Sequence, residues 1–187
     1  EEIDEEKAKE IVKTFYGEEK IKNIDSNGFS ENAEIPSFDF NVKMKENDNT
    51  ATISISKKGG HIIFANYNKT VSTEIISQEK ANEIAKDFLD KHGYTNMKET
   101  YYLKQNGIVT INYAYTQNNT NNQQVTIYPD LIKVKVALDD GSVLGIETSG
   151  YLNSHTTRAI STDIISKEKA KDVLNKDLQI ESENLAI

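Results

Sequence analysis

Three histidines, His61, His92 and His155, are the residues of this sequence that could exchange protons near neutral pH. None of them stands in a His-Glu-x-x-His pattern, and the chain has neither a Gly-x-Ser-x-Gly segment nor a Gly-rich phosphate loop. The chain also has no cysteine, which excludes thiolate nucleophiles, disulfides and thiolate metal sites. We interpret His61 and His92 as structural. His155 lies in a polar connector with Arg158 and is either structural or a contact to an anion or a protein partner.

The carboxylates could in principle hydrolyse glycosides. That chemistry needs two carboxyl groups roughly 5–9.5 Å apart across a cleft, with one of them removed from solvent. Most acidic residues here lie instead on the predicted outer faces of helices, at helical spacing from lysines, where exposed ion pairs form. The acidic turn at residues 139–141 lacks the alternating acids and the closing Glu of a calcium loop. We therefore predict no catalytic residue, no metal ion and no cofactor.

Tyrosines form the most suggestive group of side chains: Tyr101, Tyr102, Tyr113, Tyr115, Tyr128 and Tyr151. Tyrosines on a sheet are commonly core or cross-strand residues. Tyr is also enriched at protein interfaces, because it offers a large contact area at low entropic cost. Neighbouring residues of a strand point to opposite faces, so Tyr101 and Tyr102 cannot both lie under a helix. The predicted partner contacts are Tyr101, Tyr102, Tyr128, Asp130, His155 and Arg158.

The composition excludes several classes of partner. The chain has 22 Lys and Arg against 30 Asp and Glu, and its net charge of −8 has the wrong sign for nucleic acid or anionic membranes. Apolar residues make up 36%, and no run approaches the about 18 consecutive apolar residues that span a bilayer. The sequence begins Glu-Glu-Ile, so we expect either processing or a start inside a longer protein, with any membrane anchor outside this segment.

The elements that must position these side chains are repeated along the chain. Similar segments occur at residues 3–8, 76–81 and 165–170. Each opens with a residue type that caps a helix N-terminus: Asp4, Ser77 and Ser166. Apolar residues at helical spacing follow, and Gly17 and Gly93 stand where a left-handed residue would end the first two helices. The sequence therefore predicts three helix starts.

After each of the first two helices the apolar period changes from 3.6 to 2, which predicts antiparallel strands. These strands are predicted at residues 38–44, 51–55, 62–64, 109–115 and 132–138. The Asn-rich stretch 117–124 is predicted to be a solvated, mobile loop. The fold class is α+β: tandem units in which one helix packs across an antiparallel sheet of three to four strands. The predicted units are residues 1–75, residues 76–160 and residues 161–187, the last being a truncated third unit.

The turn at residues 139–141 also predicts a strand register. A three-residue loop would place Val136 opposite Leu144 and Val134 opposite Ile146, with all four side chains on one buried face. That loop needs a left-handed residue at its end, and Gly141 adopts this conformation at the least cost. We therefore predict a three-residue hairpin with a bulge at the glycine.

The repeat, together with the segments Ile127-Tyr128-Pro129-Asp130 and Gly150-Tyr151-Leu152, resembles the C-terminal region of the YpeB family of spore germination proteins, which is built of PepSY repeats. The resemblance is strongest from residue 76 to residue 158. It implies tandem PepSY units and a function outside catalysis. It also implies export to the outer face of the spore inner membrane, in the cortex region, through an anchor outside this segment.

The same resemblance implies that the chain binds the spore cortex-lytic hydrolase SleB and stabilises or restrains it. PepSY units also occur in propeptides of secreted proteases, where they resemble inhibitors or folding aids. Two other hypotheses stay open at this point. The units could be a passive structural spacer, or the chain could itself be a carboxylate-based cortex hydrolase.

Overall fold

The chain alternates helices with strands in two successive runs and then begins a third. The structure is a computed structural model that describes residues 1–46, 49–162, 165–175, 177–180 and 184–187. In chain order its elements are α1 (Glu5–Tyr16), a short 3₁₀ turn (Glu18–Lys20), β1 (Ile21–Ser30), β2 (Ser37–Met44), β3 (Thr50–Ser56), β4 (Ile62–Tyr67), α2 (Gln78–Lys91), β5 (Met97–Gln105), β6 (Ile108–Asn118), β7 (Gln124–Ala137), β8 (Val143–Glu147), α3 (Ser149–Ser154) and α4 (Lys167–Asp172). The predicted α+β class is confirmed.

The eight strands of the described residues form one antiparallel sheet, in the order β1-β2-β3-β4-β8-β7-β6-β5. The two runs join where β4 pairs with β8. The residues opposite each other at this joint are Phe64 and Glu147, Ala65 and Ile146, and Asn66 and Gly145. A Cβ added at Gly145 would lie 2.3 Å from the carbonyl oxygen of Ala65, so the backbones approach closely only because residue 145 is glycine. The predicted boundaries between the units stay a prediction.

The helix starts are confirmed. Each predicted cap accepts a hydrogen bond from the backbone N–H three residues later, at 2.8 Å for Asp4, 3.2 Å for Ser77 and 3.3 Å for Ser166. Gly17 and Gly93 stand at the C-terminal ends of α1 and α2 with φ of +87° and +82°, values that favour glycine. These starts and ends depend on local chemistry, which is why the sequence predicts them well.

The core lies between the sheet and the first two helices. Helix α2 packs against β6 and β7, and α1 packs against β1 and β3. The helix residues that are buried are Ala8, Val12, Tyr16, Ala81, Ala85 and Leu89. The two helices contact each other through Phe15 and Phe88, whose ring centroids are 6.0 Å apart. Full burial of a side chain such as Val12 or Leu89 contributes roughly 1.5–3 kcal/mol, which helps to dock a helix that would be marginal alone.

The predicted register of the β7–β8 hairpin is wrong in part. Val134 pairs with Ile146 as predicted, but Val136 pairs with Val143. Leu144 is the extra residue of a bulge in β8. The bulge therefore lies in the strand and not at the glycine of the turn.

The loop of this hairpin contains the five residues 138–142 and not three. Leu138 leaves the hairpin because its carbonyl oxygen accepts the N–H groups of residues 75–76, at 2.7 and 2.9 Å. Its own N–H donates to the carbonyl oxygen of Gly107 at 2.8 Å. Gly141 has a φ of +77°, so its predicted left-handed conformation is confirmed. Hydrogen bonds from distant segments thus override the local turn preference.

Two further segments differ from the sequence-based expectation. Strand β1 was not predicted, because its side chains are mostly exposed and two bulges interrupt its pairing with β2. The loop predicted at 117–124 is reduced to residues 119–123, since β6 and β7 extend into it. Asn119 is buried there, and its side-chain oxygen accepts the N–H groups of Asn121 (3.0 Å) and Gln123 (2.9 Å).

Candidate functional site

A buried polar network lies where the pairing of β7 with β6 is interrupted. Residues 128–130 form a bulge there, because the register shifts between Ile127 and Leu131. The bulge turns the side chain of Asp130 inward, and this carboxylate has no solvent exposure. Arg158 binds it in bidentate fashion, with Nη2 2.7 Å from Oδ1 and Nη1 2.8 Å from Oδ2. Nδ1 of His155 lies 2.7 Å from Oδ2, which assigns the proton to that nitrogen.

Arg158 and His155 are held by further contacts in the chain. Nη2 of Arg158 donates to the carbonyl oxygen of Ser154 at 2.6 Å, and the hydrogen bonds to Asp130 raise the pKa of Arg158. The ring of His155 stacks on Tyr151 with a centroid distance of 4.2 Å and an angle of 14°. Its edge contact to Tyr115 is 4.6 Å. The network therefore fixes the connector after α3 against the sheet.

Helix α3 approaches the bulge closely because residue 150 is glycine. A Cβ there would lie 3.1 Å from the carbonyl oxygen of Leu131 and 3.2 Å from that of Pro129. The neighbouring Tyr151 contacts Tyr94 edge to face at 5.2 Å, and burial raises the pKa of both phenols. The occurrence of glycine and tyrosine at positions 150 and 151 is thus explained by the packing of α3 against the bulge.

The arrangement orients His155, whose side chain is 31% exposed. Its described contacts are the Asp130 carboxylate and two tyrosine rings. Among the residues that the structure describes, no group of three or more His, Asp and Glu side chains could hold a metal ion. Asp130, His155 and Arg158, predicted as partner contacts, are brought together, and only Asp130 is fully buried: the side chains of His155 and Arg158 are 31% and 20% exposed. Because Asp130 has no exposed surface, it contacts no partner directly in this conformation.

The predicted tyrosine contacts lie elsewhere and are exposed. Tyr101 and Tyr102 are 60% and 42% exposed on β5, and Tyr128 is 48% exposed on the bulge of β7. Leu103, which follows the tyrosines, is 51% exposed. Sequence reasoning missed this leucine. Neighbouring residues of a strand point to opposite faces, so one buried face cannot cover three consecutive large apolar residues. We call Tyr101, Tyr102 and Leu103 the β5 edge, because β5 is the outermost strand on its side of the sheet.

A groove between α1 and α2 was also missed by sequence reasoning. It has a volume of about 520 Å³ and its lining includes Phe15, Phe88, His61 and His92. Nδ1 of His92 lies 2.8 Å from the carbonyl oxygen of Phe88, and the two rings are 4.1 Å apart. This agrees with the interpretation of His92 as structural. The groove forms only because the two runs share one sheet, which the sequence does not reveal.

Comparison with known proteins identifies the family. The family model described as YpeB sporulation, PepSY1 and PepSY2 domains matches residues 1–161. The chain belongs to the YpeB family. Sporulation protein YpeB of Bacillus subtilis (strain 168) is 32% identical over 191 residues, which cover 99% of this chain and 40% of that protein. Sporulation protein YpeB of Halalkalibacterium halodurans is 26% identical over 187 residues, with the same coverage of each chain.

A solved YpeB structure has the same fold. The Bacillus megaterium YpeB C-terminal domain matches with a TM-score of 0.83 and 25% identity, over 99% of this chain and 80% of that one. The chain therefore spans about two fifths of the length of the curated YpeB relatives that it matches. Within the described residues, no helix is long and apolar enough to cross a membrane. The YpeB relatives are named for sporulation, which supports a sporulation role for this chain.

Proposed function

We propose that this chain is a protein-binding region of a YpeB-family sporulation protein that binds the spore cortex-lytic hydrolase SleB. In this proposal it stabilises or restrains the hydrolase and catalyses no reaction itself. The observation that carries the proposal is the β5 edge, where Tyr101, Tyr102 and Leu103 are exposed together on an outermost strand. Adjacent exposed apolar residues on a sheet edge are typical of protein interaction sites.

The opposite edge of the sheet supports this assignment by contrast. Strand β1 has bulges after Ile21 and after Ser26, and most of its side chains are polar and exposed. Bulges and polar side chains protect a sheet edge against pairing with other chains. In β5 the residues after its single bulge pair regularly with β6, from Tyr101 to Gln105. The β5 edge therefore lacks the protection that β1 has.

A role without catalysis is supported by the state of the polar residues. The buried carboxylate of Asp130 is fully engaged by Arg158 and His155. A glycosidase needs two carboxyl groups across a cleft, one of them with a raised pKa. Among the described residues, the carboxyl groups of Glu5, Glu18 and Glu79 have pKa values lowered by hydrogen bonds to their charged forms. Burial would raise the pKa of Asp140, but its hydrogen bonds to Lys69 and Ser142 lower it.

We also propose a location for the chain, which its resemblance to the YpeB family implies. We expect the chain to act outside the inner spore membrane, in the cortex region, with its anchor in a part of the protein outside this segment. The YpeB relatives are named sporulation proteins, and this chain matches 40% of their length.

The proposal is tested by mixing the purified chain with SleB. Three quantities are measured together: complex formation, hydrolysis of cortex, and survival of the hydrolase under added protease. We expect Tyr102→Ala to weaken the complex about tenfold, as truncation of an interfacial aromatic does. Its melting temperature should change little, because the side chain is half exposed.

Phe64→Ala is the matched control, because Phe64 is an exposed aromatic at the centre of the sheet and far from β5 in strand order. It should leave the complex unchanged. Absence of binding by the intact chain would reject the proposal and favour the spacer hypothesis. Release of muropeptides by the chain alone would instead favour the hydrolase hypothesis.

A further inference from the structure

The pairing of β5 with β6 shows which side of the sheet each β5 residue faces. The β6 partners of Glu99, Tyr102 and Lys104 are the core residues Tyr113, Ile111 and Val109. Residues opposite each other in a sheet share a face. Glu99, Tyr102 and Lys104 therefore lie on the helix side, and Tyr101 and Leu103 lie on the other side. Helix α2 packs on β6 and β7, so Tyr102 and Lys104 stay exposed on the helix side of β5, where Lys104 also pairs with Glu74.

This strand is complementary to itself when two copies run antiparallel about Tyr102. Tyr102 then faces Tyr102 of the second copy, and Tyr101 faces Leu103 of the second copy on the other side of the sheet. Lys104 falls opposite the bulge at Thr100, beside Glu99 of the second copy on the helix side. By symmetry the apolar pair and the charge pair each occur twice. All of these pairs join residues on the same face, as a continuous sheet requires.

We propose that β5 pairs with β5 of a second copy of this chain, forming a two-fold symmetric dimer with one continuous sheet. The charge pattern of β5 is the reason for choosing a second copy of this chain as its partner. The molecule has a net charge of −8 and two copies repel each other overall, yet this strand brings an acidic residue against a basic one at both ends of the contact. A C2 dimer uses one self-complementary patch on both chains, and the segment 99–104 provides such a patch.

The dimer has a consequence for the hydrolase that rests on the proposed function. The same three side chains are assigned to SleB, so the hydrolase and the second copy exclude each other from the β5 edge. Dimerisation itself requires no hydrolase and is measured in its absence. Failure of one proposal is therefore distinguishable from failure of the other.

The test reverses the charges one at a time. Sedimentation is measured over a concentration series near 0.15 M salt, where the Debye length is about 8 Å and pairs in contact still interact. Glu99→Lys alone and Lys104→Glu alone should each weaken the dimer at least about tenfold, because both symmetric charge pairs become repulsive. An equimolar mixture of the two variants should restore it as a heterodimer, because each reversed charge then faces its opposite.

Two controls keep the result interpretable. Lys104 also forms an ion pair with Glu74, so Lys104→Glu is repeated together with Glu74→Lys, which preserves that pair with reversed signs. Lys91→Glu makes the same charge change on α2, where Lys91 pairs with Asp87. It should affect dimerisation only as much as the change in net charge does. Leu103→Lys should also weaken the dimer, since it removes both apolar pairs.

A chain that stays monomeric at every concentration would overturn the proposal. So would a dimer that neither single reversal weakens, or a mixture of the two variants that fails to associate. Restoration by the mixture would support it, because a partner that binds elsewhere gives no reason for the two defects to cancel.

Discussion

At the scale of single residues, Asp130 is a buried carboxylate held by three hydrogen bonds from Arg158 and His155. Removing Asp130 deletes these hydrogen bonds, although Arg158 and His155 are partly exposed and can be hydrated. We expect Asp130→Ala to lower the free energy of unfolding by about 1–3 kcal/mol. Urea denaturation followed by circular dichroism measures this change.

The matched control for that prediction is Asp87→Ala. Asp87 pairs with Lys91 at 2.6 Å on the exposed face of α2, where an ion pair is worth roughly 0–1 kcal/mol. If Asp130→Ala costs no more than Asp87→Ala, the network does not hold the connector after α3. The two variants change the same residue type and differ in burial.

The sequence named Asp130, His155 and Arg158 but not their arrangement. Their residue types suggested exposed contacts, because polar residues in a connector are usually solvated. Burial of Asp130 depends on the bulge at residues 128–130, and the local pattern of β7 gives no sign of how far its register shifts. The sequence did predict that Tyr101 or Tyr102 would be free, since the opposite orientation of strand neighbours is a local property.

At the scale of elements, the segment before α2 is tied to the β7–β8 turn. Nζ of Lys69 lies 2.9 Å from Oδ1 of Asp139 and 2.7 Å from Oδ2 of Asp140. Partial burial would raise the pKa of Asp140, but Lys69 and the N–H of Ser142 outweigh it and hold that pKa well below its usual range. The turn is thus stabilised by a charge that acid removes.

This contact predicts a pH dependence. The pKa of Asp140 is lower in the folded chain than in the unfolded chain, so its stabilisation is present above about pH 4 and is lost as the pH falls further. Asp140→Asn should lower the free energy of unfolding by about 1 kcal/mol or less at pH 7, because the side chain is half exposed. The difference between the two proteins should shrink steadily as the pH falls from about 4 to 2.

Urea titrations from pH 2 to pH 7 measure this difference directly. A difference that stays constant over the whole range would contradict the assignment, since it would show that the charge of Asp140 does not matter.

The same hydrogen-bonded segment explains why the turn could not be predicted from its own residues. The N–H groups of residues 75–76 bind the carbonyl oxygen of Leu138, so Leu138 does not pair within the hairpin. That contact depends on the packing of distant parts of the chain.

At the scale of the whole molecule, the two repeats form one sheet and not two. The sequence predicted a helix and a sheet for each repeat but gave no sign of the pairing between β4 and β8. That pairing involves three residue pairs, and the groove between α1 and α2 lies beside it. Ile146, in β8, lines the groove and pairs with Ala65 across the joint.

We expect the joint to make unfolding of the two repeats cooperative, and Gly145→Ala tests this. The added Cβ would start 2.3 Å from the carbonyl oxygen of Ala65, so β4 and β8 must move apart. We expect the free energy of unfolding to fall by about 1–3 kcal/mol and thermal unfolding to separate into two transitions. Hydrogen exchange should accelerate at β4 and β8 before it does at β2 and β6.

Gly93→Ala separates this effect from general backbone strain. Gly93 has a φ of +82° and open space around its Cβ position, so alanine there costs about 1–2 kcal/mol without touching the joint. This control should melt earlier but in one transition. The interpretation would be contradicted if Gly93→Ala unfolded in two transitions, or if Gly145→Ala unfolded in one transition although it was comparably destabilised. Contacts other than the β4–β8 pairs would then couple the repeats. The Phe15–Phe88 contact between the helices would then be the next site to truncate, because it too connects the two runs.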